Sequence, residues 1–152
     1  MVYSLLFYHR CNTLLRFILH DMNKKSTKTH WQNYWQSHDH QSVVVHQDLI
    51  DNLQAVINVR GKKILEVGAG MGGDSIYLAK NGAMVTTLDY TTESLREIER
   101  NARKENVRIE TILADAKKIP FADATFDVVF HQGFLEHFTD PLFILSEQRR
   151  VL

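Results

Sequence analysis

Hydrophobic residues along this chain alternate between two periods. The run Lys62-Lys63-Ile64-Leu65-Glu66-Val67 is short, apolar and stops at a glycine-rich turn, Gly68 to Gly73, so it predicts a buried strand. A helical pattern follows at once, from Asp74 to Lys80. Ala83-Met84-Val85-Thr86-Thr87-Leu88 predicts a second strand ending in Asp89, and Thr91 to Lys104 returns to the helical period with Thr91 or Thr92 placed to cap it. A third strand is expected at Val107–Leu113, before Ala114-Asp115-Ala116, and a fourth at Phe126–Phe130, after the turn that starts at Ile119-Pro120. Upstream, Leu49, Ile50, Leu53, Val56 and Ile57 form one apolar stripe, so Asp48–Val59 is predicted to be an amphipathic helix covering a face of the sheet. Downstream, Leu142, Phe143, Leu145, Gln148, Val151 and Leu152 again keep helical spacing. Strands alternating with helices predict an α/β fold with a doubly wound, Rossmann-like sheet.

Composition sets limits on this picture. A chain of 152 residues suits one domain, and 44% apolar residues can supply its core. The 18 basic and 18 acidic residues cancel, with no basic stripe, so nothing points to a nucleic-acid partner. One cysteine, Cys11, excludes an internal disulfide framework and favours a reducing compartment; a cytoplasmic location is expected. Val2–Phe7 and Leu14–Leu19 are apolar, but His9, Arg10, Cys11, Asn12 and Arg16 interrupt them, so neither a membrane span nor a signal peptide is expected. This stretch reads as an amphipathic helix packed on the domain or as a non-native extension. Met22 opens a polar segment that makes a more natural beginning. His38, His40 and His46 have only Asp39 near ligand spacing, so no metal site is expected.

The glycine turn carries the candidate chemistry. Glycines there let a ligand approach the backbone, and the following helix turns free N–H groups toward it. Gly68, Gly70 and Gly73 fit the dinucleotide spacing, but Glu66, Gly68, Gly70 and Gly72 also fit E-x-G-x-G-x-G. A pyrophosphate has no use for an acidic residue at the first strand end, whereas a cationic ligand without phosphate does. Asp89 lies about 20 residues beyond Gly68, where a carboxylate can accept from ribose hydroxyls, a feature shared with NAD enzymes. Asp115 gives a second acidic strand end, able to accept from an adenine amine while the Ala116 N–H donates to the ring.

The succession EVGAGMGG, LDY, ADAKKIPF and FDVVFHQGFLEHFTDP, then a helix ending RRVL, resembles the class I S-adenosylmethionine-dependent methyltransferases, in particular the type 11 and ubiquinone/menaquinone-biosynthesis-like enzymes. The resemblance covers Asp48 to Leu152. It divides the chain into an extension with an aromatic lead-in, 1–47, and a cofactor domain, 48–152. It implies S-adenosylmethionine as cofactor, a small-molecule methyl acceptor, and strand order 3-2-1-4. It further implies that Gly68, Ala69 and Gly70 pass under the methionine and ribose, with Glu66 and Gly72 in the same motif. Asp89 then holds the ribose, Tyr90 lies beside the adenine, and Asp115 and Ala116 read its edge. His131, Gln132 and Gly133 open onto the sulfonium, with His131 either a general base or a backbone contact only. Glu136 and His137 face the substrate or cap the next helix. Trp31, Tyr34 and Trp35 form a lid or ordinary packing.

The resemblance also implies strands five to seven beyond Leu152, so the chain reads as truncated, as a domain fragment, or as completed by a partner. On that reading the fourth strand, apolar on both faces, becomes an exposed edge open to self-association. Two other functions stay open: a non-catalytic module that binds S-adenosylmethionine, and a nicotinamide-dependent oxidoreductase.

Overall fold

The apolar runs become strands of one five-stranded sheet in the computed structural model, which describes residues 5–8, 27–37 and 43–152. The strands are β1 (Leu5–Tyr8), β2 (Lys63–Val67), β3 (Met84–Asp89), β4 (Glu110–Leu113) and β5 (Val128–His131), in the order β1-β5-β2-β3-β4. The helices are α1 (Lys28–Ser37), α2 (Gln47–Val56), α3 (Gly73–Lys80), α4 (Thr92–Lys104) and α5 (Pro141–Val151), with a 3-10 turn at Leu135–His137. Strands β2 to β5 are parallel, with Ile64 opposite both Val85 and Val128 and Thr87 opposite Thr111. They follow the expected 3-2-1-4 order.

Strand alternation sorts the core into two layers. On one face Ile64, Val85, Val128 and Phe130 pack with Leu49, Ile50 and Leu53 of α2 and Leu78 of α3. On the other, Leu65, Val67, Leu88 and Val129 pack with Ile144 and Val151 of α5. Helices on both faces explain why β2 is buried from Ile64 to Val67 with no polar alternation. Helix α5 begins with Pro141 behind the N-cap Asp140, whose side chain accepts from the Phe143 N–H, and ends with Arg149 and Arg150 in its last turn.

The structure changes three expectations. The third strand starts at Glu110 because residues 105–107 still close α4: the Val107 N–H donates to Ala102 O at 3.0 Å and Asn106 takes a positive φ of 55°. The fourth strand starts at Val128. Phe126 and Thr125 donate instead to Val151 O, and the Asp127 carboxylate accepts from the Lys63 N–H at 2.9 Å and from Lys62 Nζ at 3.1 Å. Most importantly, the outer edge of this strand is not exposed. β1 pairs with β5 antiparallel, from Leu5 opposite His131 to Tyr8 opposite Val128. The backbone groups expected to seek another chain therefore meet the N-terminal segment, and the helix expected for that segment gives way to a strand at Leu5–Tyr8. Cys11, Met22, His38, Asp39 and His40 lie outside the described residues.

Candidate active site

The carboxyl ends of β2, β3, β4 and β5 open into a cavity of about 820 Å³, at the point where the sheet order reverses between β2 and β5. Eight of the twelve residues expected to hold the cofactor line it: Gly68, Gly70, Asp89, Tyr90, Asp115, Ala116, Gln132 and Gly133. Gly68 has φ +72, and its N–H donates to Leu88 O at 2.8 Å, which ties the turn to β3. A Cβ on Gly68 would fall 2.4 Å from the Phe134 ring, so this position has no room for a side chain. Gly73 has a different reason. A Cβ there would lie 1.8 Å from Val44 O, so the third glycine of the fingerprint accommodates a crossing chain segment.

Asp89 ends β3 almost fully buried. Its Oδ1 accepts from the Thr91 N–H and the Thr91 hydroxyl, both at 2.8 Å. Thr91 is the N-cap residue of α4, but its hydroxyl serves Asp89 and not the helix. Burial raises the Asp89 pKa, with the Thr91 hydrogen bonds working against it. Tyr90 is pushed up to about 12 by burial and by the charges of Asp89 and Asp115. Asp115 is exposed at the cavity, its Oδ1 accepting from the Lys117 N–H at 2.9 Å, while Ala116 is buried. Gln132 Oε1 is buried at the cavity wall without a hydrogen-bond partner, an acceptor in need of a donor.

The other four cofactor candidates are not brought to the cavity. Ala69 packs against Leu95 and Ile98 of α4, and Gly72, with φ +77, is the N-cap residue of α3. Glu66 shares the sheet face of Ile64, so its side chain lies under α3, where its Oε2 accepts from the Ser75 hydroxyl. Burial and, secondarily, Asp74 push its pKa up to about 8. A carboxyl that is neutral and turned into the protein does not offer a charge to a cationic ligand, which corrects the expectation from its position. His131 shares the opposite face with Val129 and is 2% exposed. Its Nδ1 meets Gln148 Oε1 of α5 at 2.9 Å, and burial lowers its pKa to about 4. The ring points into the core, so it is not the base at this cavity.

The facing wall comes from elsewhere in the chain. Trp31, Tyr34 and Trp35 of α1 line it, with Phe134, His137, Phe138, Phe143 and Ile144. The His137 ring stands edge-on to Trp31 at 4.9 Å, and Phe134 lies 4.8 Å from Phe138. The aromatic lead-in was a sequence signal for α1; Phe138 and Phe143 had none beyond their helical or loop pattern. Among the described residues no cluster of His, Cys, Asp or Glu could hold a metal ion, and no helix is long and apolar enough to cross a membrane.

A Rossmann-like sheet with a glycine turn and paired acidic strand ends facing an aromatic wall is the architecture of a nucleoside-binding fold. A methyltransferase-domain family model matches residues 65–152, more than half of the chain, and the chain belongs to that family. It is 37% identical over 99 residues to demethylmenaquinone methyltransferase of Clavibacter sepedonicus, an alignment spanning 65% of this chain and 40% of that protein. It is 35% identical over 109 residues to the ubiquinone biosynthesis O-methyltransferase of Actinobacillus pleuropneumoniae serotype 5b (strain L20), spanning 68% of this chain and 47% of that protein. The chain thus spans less than half the length of these curated relatives. A solved SAM-dependent methyltransferase from Aquifex aeolicus superimposes with a TM-score of 0.61 at 27% identity, over 68% of this chain and 57% of that one.

Proposed function

We propose that this cavity binds S-adenosylmethionine and that the protein transfers its methyl group to a small-molecule acceptor. The observation that carries the reading is the juxtaposition of Asp89 and Asp115, at neighbouring strand ends, with the Gly68–Gly70 backbone in one cavity. Two carboxylates beside an open glycine turn suit a nucleoside that offers hydroxyl and amine donors and a net positive charge. The fit extends to Gln132, whose orphaned buried Oε1 can accept from the ligand's ammonium. When bound, S-adenosylmethionine supplies a methyl carbon already activated by positive sulfur. The protein's share is then alignment and exclusion of water, and alignment is worth up to about 7–11 kcal/mol in well-oriented systems.

In this reading the strand-end wall holds the cofactor and the aromatic wall takes an apolar, planar acceptor. The relatives named demethylmenaquinone methyltransferase and ubiquinone biosynthesis O-methyltransferase support an acceptor of that kind. His137 replaces His131 as the residue placed to accept a proton from an oxygen or nitrogen nucleophile, since it lines the cavity beside Trp31. The cofactor unit is drawn as 48–152, with β1 and α1 contributed from ahead of it, and the single cysteine supports a cytoplasmic setting.

The test is calorimetric binding of S-adenosylhomocysteine, with NADH in parallel. Binding of the first alone, weakened about tenfold or more by Asp89→Ala, is the expected result. NADH binding in its place would return the oxidoreductase reading. With an acceptor in hand, His137→Gln should lower kcat by about 10²–10⁴-fold while leaving S-adenosylhomocysteine affinity in place.

A further inference from the structure

Residues 43–46 run across the N-terminus of α3 so closely that Val44 O occupies the place a side chain on Gly73 would need. They are fastened there by His46, whose N–H donates to Asp74 Oδ1 at 2.7 Å and whose Nδ1 meets Asp74 Oδ2 at 2.8 Å. The Asp74 side chain is 2% exposed and that of His46 44%, so among the described residues the buried carboxylate has its hydrogen bonds from the exposed partner. Asp74 sits in the first turn of α3, directly after the glycine turn, and its neighbour Ser75 donates to Glu66 beneath that turn. On the other side, the strap follows Ser37, the last residue of the aromatic helix α1, closely in sequence. The strap therefore touches the start of α3 behind the glycine turn and is near α1 along the chain.

We propose that His46 is a positioning residue for the cofactor cavity: its two hydrogen bonds to Asp74 staple the 43–46 strap over the start of α3, holding the glycine turn in its ligand-accepting shape and keeping α1 within reach of the opening. His46 does not line the cavity, so it acts through Asp74 and the turn. The proposal rests on the reading of the cavity as a cofactor site, and its test separates the two.

The experiment uses the full chain with His46→Leu, which keeps bulk without a side-chain donor, and His46→Asn, whose Nδ2 stands the same number of bonds from the backbone as Nδ1. Hydrogen exchange in the ligand-free proteins should show faster exchange at 68–76 in His46→Leu, unchanged exchange in α4, and recovery in His46→Asn. Emission from Trp31 and Trp35, the chain's two tryptophans, should shift in His46→Leu only. S-adenosylhomocysteine should bind His46→Leu about tenfold more weakly and His46→Asn within about threefold of wild type. Unaltered exchange and emission in His46→Leu would overturn the proposal. So would loss of the whole fold, because the contact would then hold the domain and not the site. If wild type binds no S-adenosylhomocysteine, the cofactor reading fails, and the exchange data still decide the staple.

Discussion

The two walls of the cavity are built in different ways. The strand-end wall is backbone and short side chains set on buried parallel strands: Gly68 and Gly70 follow β2, Asp89 ends β3, and Val67 and Leu88 beneath them are almost wholly buried. The aromatic wall is made of large side chains from α1, the 3-10 turn and the start of α5, and several of its members are exposed: Tyr34 at 37% and Phe143 at 52%. Position on the first wall is set by the sheet, which is hard to deform locally. Position on the second depends on a few side-chain contacts, such as Trp31 on His137. A ligand common to a family suits the first kind of wall, and a variable acceptor suits the second.

The sharpest way to break this comparison is Gly68→Val. With φ +72 and the Phe134 ring 2.4 Å from the new Cβ, the turn cannot keep its shape. Calorimetry should show S-adenosylhomocysteine affinity falling by about 100-fold or more. Gly61 supplies the control, having φ +73 but nothing within 4 Å of its Cβ. Gly61→Ala should cost about 1 kcal/mol of stability in urea unfolding and leave binding in place.

A second prediction concerns the protected edge. Deleting residues 1–9 removes β1 and uncovers the backbone of β5, so light scattering should detect concentration-dependent association that the full chain lacks. A monomeric deletion variant would mean that another segment covers this edge.

A smaller effect lies in Glu66. Its pKa is 4.5 ordinarily and about 8 in the fold. Between those values the folded chain holds a proton that the unfolded chain has lost. Stability from this group is therefore complete below pH 4.5, falls as pH rises toward 8, and levels off above. His131 acts oppositely: lowered from 6.5 to about 4, it makes stability rise with pH across that interval. Melting temperatures for Glu66→Gln should stay flat from pH 6.5 to 8 where wild type declines. An unchanged decline would place the titrating group elsewhere.

The smallest expected change is Trp35→Ala, which should move S-adenosylhomocysteine affinity by no more than about threefold, the scale of ordinary surface substitutions. A loss above tenfold would show that the aromatic wall also holds the cofactor, and the division of labour would not stand.

The strand order came with the family resemblance, whereas the layered α/β fold and the glycine-turn wall were legible in the residue pattern. Those features rest on local signals: continuous apolar runs for buried strands, helical spacing between them, and Gly or Asp at strand ends. Tertiary structure decided where side chains at those ends point. Glu66 and His131 sit at the expected positions, but strand alternation sends one under α3 and the other into α5, and a one-dimensional motif carries no such parity once both faces are buried. It also decided why Gly73 is glycine, since the Val44 carbonyl that crowds it comes from 29 residues earlier. The edge of β5 shows the same limit. Its apolar residues announce a buried strand, but which segment covers it is a pairing between residues more than a hundred positions apart, a choice made by backbone hydrogen bonding that local patterning does not encode.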